Sequence, residues 1–367
     1  MVDRRAMVVA ATAVAATGAL LTAEAVRSRR AHDAAVRATW RPAAVPAGDA
    51  QLALREAIRL ATLAASSHNT QCWRFVPRPD GVRILPDFSR RLAVVDPDDH
   101  HLFASLGCAA ENFLHAARAL GYAGELHPGS RAAEGLDLAL QPAAPWASPL
   151  YEAIPRRQST RGLYDGQPLR NEELRLLEAA GTGAGVAVRL LTDRAARETV
   201  LSFVVEGNTL QVQDPAFVAE LKRWVRFNGA EAARTGDGLS TACTGNPALP
   251  PWLGRRMFDF VFTADSENDK AMRQLRSSAG IAVFVSAQDD WQHWVEAGRA
   301  YQRFALQATA LGIRTAHLNQ PVEVARLRRP FAEALALGSG RPDLVVRFGR
   351  GPEMPRSLRR PLSAVLG

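Results

Sequence analysis

The chain has 367 residues, 47% apolar and 22% charged, which excludes both a minimal disulfide-stapled domain and a disordered chain. Its net charge of +8 at pH 7 raises the question of nucleic acid. Seven arginines against three acids in residues 1–41 supply +4 of that charge, and Lys222 and Lys270 are the only lysines. Basic and aromatic residues do not pair along any stretch, so no nucleic-acid partner is expected.

Residues Ala6–Ala23 form an 18-residue run without a charge, preceded by Arg4-Arg5 and followed by Ala23-Glu24-Ala25. Paired arginines, an apolar stretch and a small-x-small site resemble a twin-arginine export signal, or an uncleaved anchor. Export or anchoring is therefore expected, with a cytoplasmic protein the alternative if the segment is not a signal. Membrane contact is expected only through this segment. Cys72, Cys108 and Cys243 are odd in number and lack C-x-x-C spacing, which points to neither a disulfide framework nor zinc.

After a Pro/Ala-rich link, Arg41–Gly48, the spacing of Leu54, Ile58, Ala61 and Ala65 predicts a helix over Gln51–Ala65. Ser66-Ser67-His68-Asn69 ends it. A short hairpin follows, Trp73–Val76 and Val82–Leu85, around Pro79-Asp80-Gly81. Sliding the sequence by 191 residues lays Asp98–Tyr122 over Asp289–Ile313 with nine of 25 positions identical, Gly107/Gly298 among them. Both segments read as helices opened by paired acids and closed by Leu-Gly. Small residues (Gly107, Ala110, Ala117; Gly298, Ala305, Ala308) allow close packing of the two. We expect an α+β chain of two related halves forming a pseudo-dimer around these central helices. The expected divisions are residues 1–48, a first half 49–150, and a second half 151–367 with a lid-like insertion at about 208–263.

Three segments carry chemistry. Ser66-Ser-His-Asn69-Thr-Gln71-Cys-Trp-Arg-Phe offers uncharged donors and acceptors at a helix end, suited to a polar heterocycle; a capping turn with a core Trp is the alternative reading. In Arg157-Gln-Ser159-Thr-Arg161, alternation puts two guanidiniums and a hydroxyl on one side if the segment is extended, as in a phosphate clamp; a solvated basic turn before the helix at Asn171–Ala180 is the alternative reading. The tail Arg356–Leu362 adds further arginines, Arg359 among them. Gly181–Gly185 resembles a dinucleotide loop but follows a helix and precedes the strand Val186–Leu191, so it reads as a cap and turn. Asp96-Pro-Asp-Asp-His100-His101 has metal-capable atoms, yet neighbours on a helix are expected to point apart, and capping is the preferred reading.

Together the three segments resemble the nitroreductase superfamily, whose signatures read Ser-x-x-Asn-x-Gln-Pro-Trp-x-Phe and Arg-x-Ser-x-Arg/Lys. The long Trp224–Arg255 region resembles the duplicated Acg-type branch. The resemblance implies one FMN site shared by the halves: Ser66, Asn69 and Gln71 from the first, and Arg157, Ser159, Arg161 and Arg359 from the second. Leu318 and Asn319 would lie beside the ring edge. Cys72 stands where the family has Pro, and a filler role is expected for it. The implied activity is an NAD(P)H-dependent oxidoreductase acting on nitroaromatic or quinone-like small-molecule acceptors, with the chemistry carried by the flavin. No protein acid, base or metal ligand is assigned. A non-catalytic FMN store closed by the lid is the alternative.

Overall fold

The computed structural model describes the backbone of residues 4–42 and 49–367, with side chains from residue 22 onward. Helix α1 is Arg4–Thr39. Nearly all side chains of the uncharged run Ala6–Ala23, and most of the link Arg41–Gly48, lie outside the described residues. Among the described residues no helix is long and apolar enough to cross a membrane.

Helix α2, Ala50–Ala61, starts where the Asp49 carboxylate accepts the Leu52 amide at 2.9 Å. It buries Ala57, Ile58, Leu60 and Ala61 and ends four residues before the expected Ala65. The first half then runs β1 (Trp73–Arg78), β2 (Gly81–Pro86), α3 (His100–Ala119), β3 (Tyr122–Pro128) and β4 (Leu136–Pro142), an antiparallel sheet in the order β1-β2-β4-β3. After α4 (Pro149–Ala153) and α5 (Asn171–Gly181) comes β5 (Val186–Leu191). An all-helical excursion with one two-stranded ribbon follows: α6 (Arg194–Gln213), α7 (Pro215–Trp224), β6 (Val225–Arg226), α8 (Gly229–Thr235), β7 (Leu239–Ser240), α9 (Thr241–Thr244), α10 (Pro251–Val261) and α11 (Ala264–Arg276). The chain closes with β8 (Gly280–Ser286), α12 (Trp291–Ala310), β9 (Arg314–His317), α13 (Gln320–Glu323), α14 (Ala325–Ala334) and β10 (Arg341–Gly349).

The second sheet has the order β5-β8-β10-β9. Its strand order, and a long helix between its second and third strands in chain order, repeat the first sheet. Strand β8 is buried throughout, with Ala282 and Phe284 in the core shared with α12 and Ile281, Val283 and Val285 in a second core that includes Val200 and Phe331. This is why it reads as a continuous apolar run rather than an alternation.

Helices α3 and α12 cross at their glycines. A Cβ on Gly107 would fall 2.0 Å from the Val295 carbonyl oxygen, and one on Gly298 would fall 1.9 Å from that of Ala104. The Cys108 thiol lies 3.2 Å from the Gly298 carbonyl oxygen, and Gln302 Nε2 donates to Asn112 Oδ1 at 2.7 Å. Beside the crossing, Glu111 faces Arg299 and Arg303 at 3.0 and 3.2 Å.

Both helices end at Leu-Gly, with Gly121 and Gly312 left-handed at φ 93° and 73°. Their starts differ. Asp290 caps α12 through the His293 amide at 2.9 Å, but Asp99 caps nothing and pairs with Arg91 at 2.9 Å. Asp96 caps α3 instead, accepting the amides of His101 and Leu102, both at 2.9 Å. The paired acids are thus not equivalent, because the first sits on a left-handed residue (Asp99, φ 61°) that turns its side chain away from the helix end. The tail crosses back to the first half: the Phe75 amide donates to the Val365 carbonyl at 2.7 Å, beside the outer edge of β1. The last residues of the 151–367 division therefore complete the sheet of the other half.

Candidate functional site

The end of α2 organises the site. Past its last residue, Ala61, the turn Thr62–Ala64 presents carbonyls that no helical amide takes up, and two arginines from later in the chain supply donors to them. Arg359 donates to the Thr62, Leu63 and Ala64 oxygens at 2.7, 3.2 and 2.9 Å, and Arg157 Nη2 donates to Leu63 O at 3.0 Å. Both side chains are buried, and neither has an ion pair among the described residues. The remaining nitrogens of Arg157, Nε and Nη1, have no hydrogen-bond partner among the described residues. Burial, reinforced by the neighbouring Arg157 charge, pulls the Arg359 guanidinium down to about 9.

After the helix, Ser66–Cys72 is held in an unusual path. His68, Asn69 and Gln71 are all left-handed, at φ 46°, 54° and 53°. Each such residue costs on the order of 1 kcal/mol or more and persists only where its surroundings over-determine it. Here Ser66 Oγ accepts the Gln71 amide at 2.8 Å. Asn69 Nδ2 donates to Gly238 O and Leu358 O at 3.0 and 3.1 Å, while its Oδ1 accepts Arg359 Nη1 at 3.0 Å. Gln71 is fully buried, donating to Gly236 O at 2.9 Å and accepting the Arg360 amide at 2.8 Å. The loop is thereby clamped between the turn Gly236–Gly238 of the helical excursion and the C-terminal tail. Asp237, in that turn, pairs with Arg90 of the first half and with Arg226 at 2.6 Å.

Residues Arg157–Arg161 run extended, and Ser159 bridges Thr315 of β9 in parallel. The expected alternation holds: Arg157, Ser159 and Arg161 all face the same space. Arg157, Ser159, Asn69 and Arg359 line a small cavity of about 50 Å³. It shares Ser66, Ser159 and Arg161 as a common wall with a cavity of about 840 Å³. That volume is within the range of about 300–1,000 Å³ for small-molecule and cofactor sites. Arg161 makes no side-chain hydrogen bond or ion pair among the described residues, and burial pulls its guanidinium below the ordinary arginine range.

Leu318 and Asn319 lie on the large cavity as expected. Asn319 Oδ1 accepts the Val345 amide at 2.9 Å, and its Nδ2 is 3.2 Å from His101 Nε2. Gln71 is the exception. It lines neither cavity, and the turn Gly236–Gly238 and the tail hold both ends of its amide.

Three histidines lie on the large cavity: His68 and His317, to which the sequence assigned no role, and His101, read there as part of a capping segment. His68 lies inside the Ser66–Gln71 motif and His317 immediately precedes Leu318, so position along the motifs was the available signal. Burial and Arg161 lower His68 to about 4, and burial, Arg161 and His101 lower His317 to about 3. Burial disfavours the charged form of His101, but hydrogen bonding and charge from Asp96 outweigh it and raise this histidine. His100 and His101 do not point apart: one ligand atom from each, with one from Asp96, fall within 4.8 Å of one another. Asp96 spends both oxygens on the cap of α3.

The opposite wall is apolar and belongs to the excursion, with Leu221, Phe227, Met257, Phe258, Val261 and Phe262. Cys72 lines neither cavity, and burial pushes its thiol up to about 12, consistent with a filler.

Curated relatives match nearly the whole chain. A Mycobacterium tuberculosis protein provisionally named NAD(P)H nitroreductase is 26% identical over 324 residues, which is 85% of this chain and 90% of that protein. The M. tuberculosis protein Acg, provisionally named in the same way, is 24% identical over 326 residues, 85% of this chain and 94% of its own. Among solved structures, the FMN-dependent nitroreductase NfnB of Mycobacterium smegmatis, in complex with NADPH, covers 59% of this chain and 96% of its own at TM-score 0.40 and 15% identity. A nitroreductase with bound FMN from Desulfitobacterium hafniense covers 59% and 96% at TM-score 0.38 and 13% identity. No family model matches. Over most of its length the chain is thus similar to proteins named nitroreductases, Acg among them, and its own architecture is α+β.

Proposed function

We propose that the chain is an FMN-dependent NAD(P)H oxidoreductase whose single flavin site spans the two joined cavities. The observation that carries this is Arg157: a buried guanidinium with two unpartnered nitrogens, no carboxylate nearby, and a small polar cavity in front of it. A buried cation without a counter-ion is costly, and a phosphate dianion offers it paired acceptors. Arg157, Ser159 and Arg359 would hold the phosphate, and Ser66 and Arg161 line the junction of the two cavities, toward the ring. Leu318 and Asn319 would meet the ring from β9. When bound, FMN supplies hydride acceptance from the nicotinamide and electron delivery to the acceptor.

Nitroaromatic or quinone-like compounds fit the apolar wall of Phe227, Met257 and Phe258 as acceptors. A second reading, a flavin store, is favoured by the lid turn Gly236–Gly238, which is bonded to Asn69 and Gln71. Anaerobic addition of NAD(P)H to FMN-loaded protein separates them. Bleaching within seconds supports the enzyme; flavin reducible by dithionite alone supports the store.

The matching strand orders and the shared 191-residue offset of α3 and α12 support an origin by duplication, with the halves packed as a pseudo-dimer in one chain. Arg4-Arg5 and the uncharged run behind them support export or anchoring. Cell fractionation before and after replacing both arginines with lysine tests it: a protein that fractionates identically in both cases contradicts a twin-arginine signal.

A further inference from the structure

Trp40 belongs to none of the three segments that carry chemistry in the sequence, yet two arginines of the tail converge on it. The guanidinium carbons of Arg356 and Arg359 lie over its indole ring, 5.0 and 5.1 Å from the centroid. Its Nε1 donates to the Ser357 carbonyl at 2.8 Å, so the same side chain also fixes the backbone between the two arginines. Trp40 is itself buried.

The two arginines hold different walls of the small cavity. Arg359 donates to the turn Thr62–Ala64 and to Asn69 Oδ1, on the side of the Ser66–Gln71 loop. Arg356 donates to the carbonyls of Pro155 and Arg156, the latter at 3.1 Å, immediately before Arg157. One aromatic ring therefore underlies the pair of cations that draws the two motif segments together. Burial lowers both guanidiniums below the ordinary arginine range, and the neighbouring Arg157 charge lowers them further. No carboxylate pairs with Arg157, Arg356 or Arg359 among the described residues. Indole is the best aromatic partner for a cation, and the contact strengthens where water is excluded. The shared ring thus offsets part of the repulsion among three like charges gathered without a counter-ion.

Trp40 reaches this place through helix α1. Its amide donates to the Val36 carbonyl at 2.9 Å, which extends the last turn of that helix. Helix α1 lies on α8: Ser28 Oγ accepts the Ala230 amide at 2.9 Å, and a Cβ on Gly229 would fall 2.6 Å from the Ser28 carbonyl oxygen and 2.8 Å from His32 Cβ. So close a fit fixes where α1 ends, and with it the ring. We propose that Trp40 is a positioning residue of the phosphate clamp, holding Arg356 and Arg359 so that the Thr62–Asn69 and Pro155–Arg161 segments meet at the distance a phosphate group spans. This rests on the reading of the joined cavities as a flavin site.

Flavin affinity of the full chain, freed of bound flavin and titrated by fluorescence quenching, separates this role from plain core packing. FMN and riboflavin share one ring system and differ by the phosphate. Trp40→Leu keeps apolar bulk without a π face; it should weaken FMN about tenfold and leave riboflavin within about twofold. Trp40→Phe, which keeps a ring beneath the guanidiniums, should recover much of the loss. Arg356→Gln, at a half-buried residue, should likewise lower the preference for FMN over riboflavin, and it decides the matter even if Trp40→Leu does not fold. Equal losses for the two flavins, or an unchanged preference in these variants, overturn the proposal, since Trp40 is then a core residue alone. If the unaltered chain binds neither compound, the flavin reading fails and the positioning role fails with it.

Discussion

Two polar residues, one from each of the two motifs, play opposite parts. Arg157 is buried with nitrogens to spare, so removing it should cost ligand and not fold. Arg157→Gln is expected to weaken FMN binding by tenfold or more, in keeping with roughly 1.5–3 kcal/mol for hydrogen bonds to a charged group. The melting temperature of the flavin-free protein should hold or rise. Gln71 is buried with nothing to spare, so Gln71→Ala should destabilise by about 2–4 kcal/mol in urea denaturation, by stranding the Gly236 carbonyl and the Arg360 amide. Asn69 and Gln71 are indistinguishable as motif letters. The turn Gly236–Gly238 and the tail hold both, from more than 160 residues away, and only Asn69 is left facing the small cavity, which cannot be read locally. The histidines give a pH prediction. His68 and His317 are held near 4 and 3, below the ordinary 6.5, so between those values the unfolded chain binds more protons. Their contribution is fully present above pH 6.5 and is lost as pH falls toward 4, whereas His101, raised by Asp96, contributes in the opposite direction. Replacing His317 with Asn should flatten the acid limb of stability against pH measured by thermal melts; an unchanged limb contradicts the assignment.

At the scale of elements, periodicity and caps were legible and the side chains that close them were less so. The central helices, the strand Val186–Leu191 and the turn at Gly181–Gly185 follow from spacing and glycine placement, and the structure has them at those places. The cap of α3 was misread because Asp96 reaches its amides from four residues before the helix, past a left-handed Asp99. The helix crossing is the most exacting contact. Gly298→Ala would place a methyl 1.9 Å from the Ala104 carbonyl oxygen, where only backbone displacement relieves it. The expected loss is about 3 kcal/mol or more, at the upper end of overpacking costs, seen as a lower urea midpoint. A control, Gly312→Asn, lies at a left-handed position with open space around it and should cost little. Equal losses for the two would mean that the crossing does not depend on close approach.

At the scale of the whole molecule, the account turns on how the halves divide one site between them. Ser66 and Asn69 come from the loop after α2, while Arg157, Ser159, Arg161 and Arg359 come from segments that follow the first sheet, and the turn Thr62–Ala64 takes two of these arginines on its carbonyls. The motif residues other than Gln71 line the two joined cavities, and the glycines of the repeat mark the α3–α12 crossing. The apolar wall could not be anticipated residue by residue, since it is assembled from short helices whose packing follows no single period. The most direct measurement is the absorbance spectrum of the full chain titrated with FMN. One flavin per chain, with a shifted visible band and quenched fluorescence that are both lost in Arg157→Gln, is the result predicted. A colourless protein that leaves added FMN free, or two equivalent flavins per chain, would contradict a single composite site.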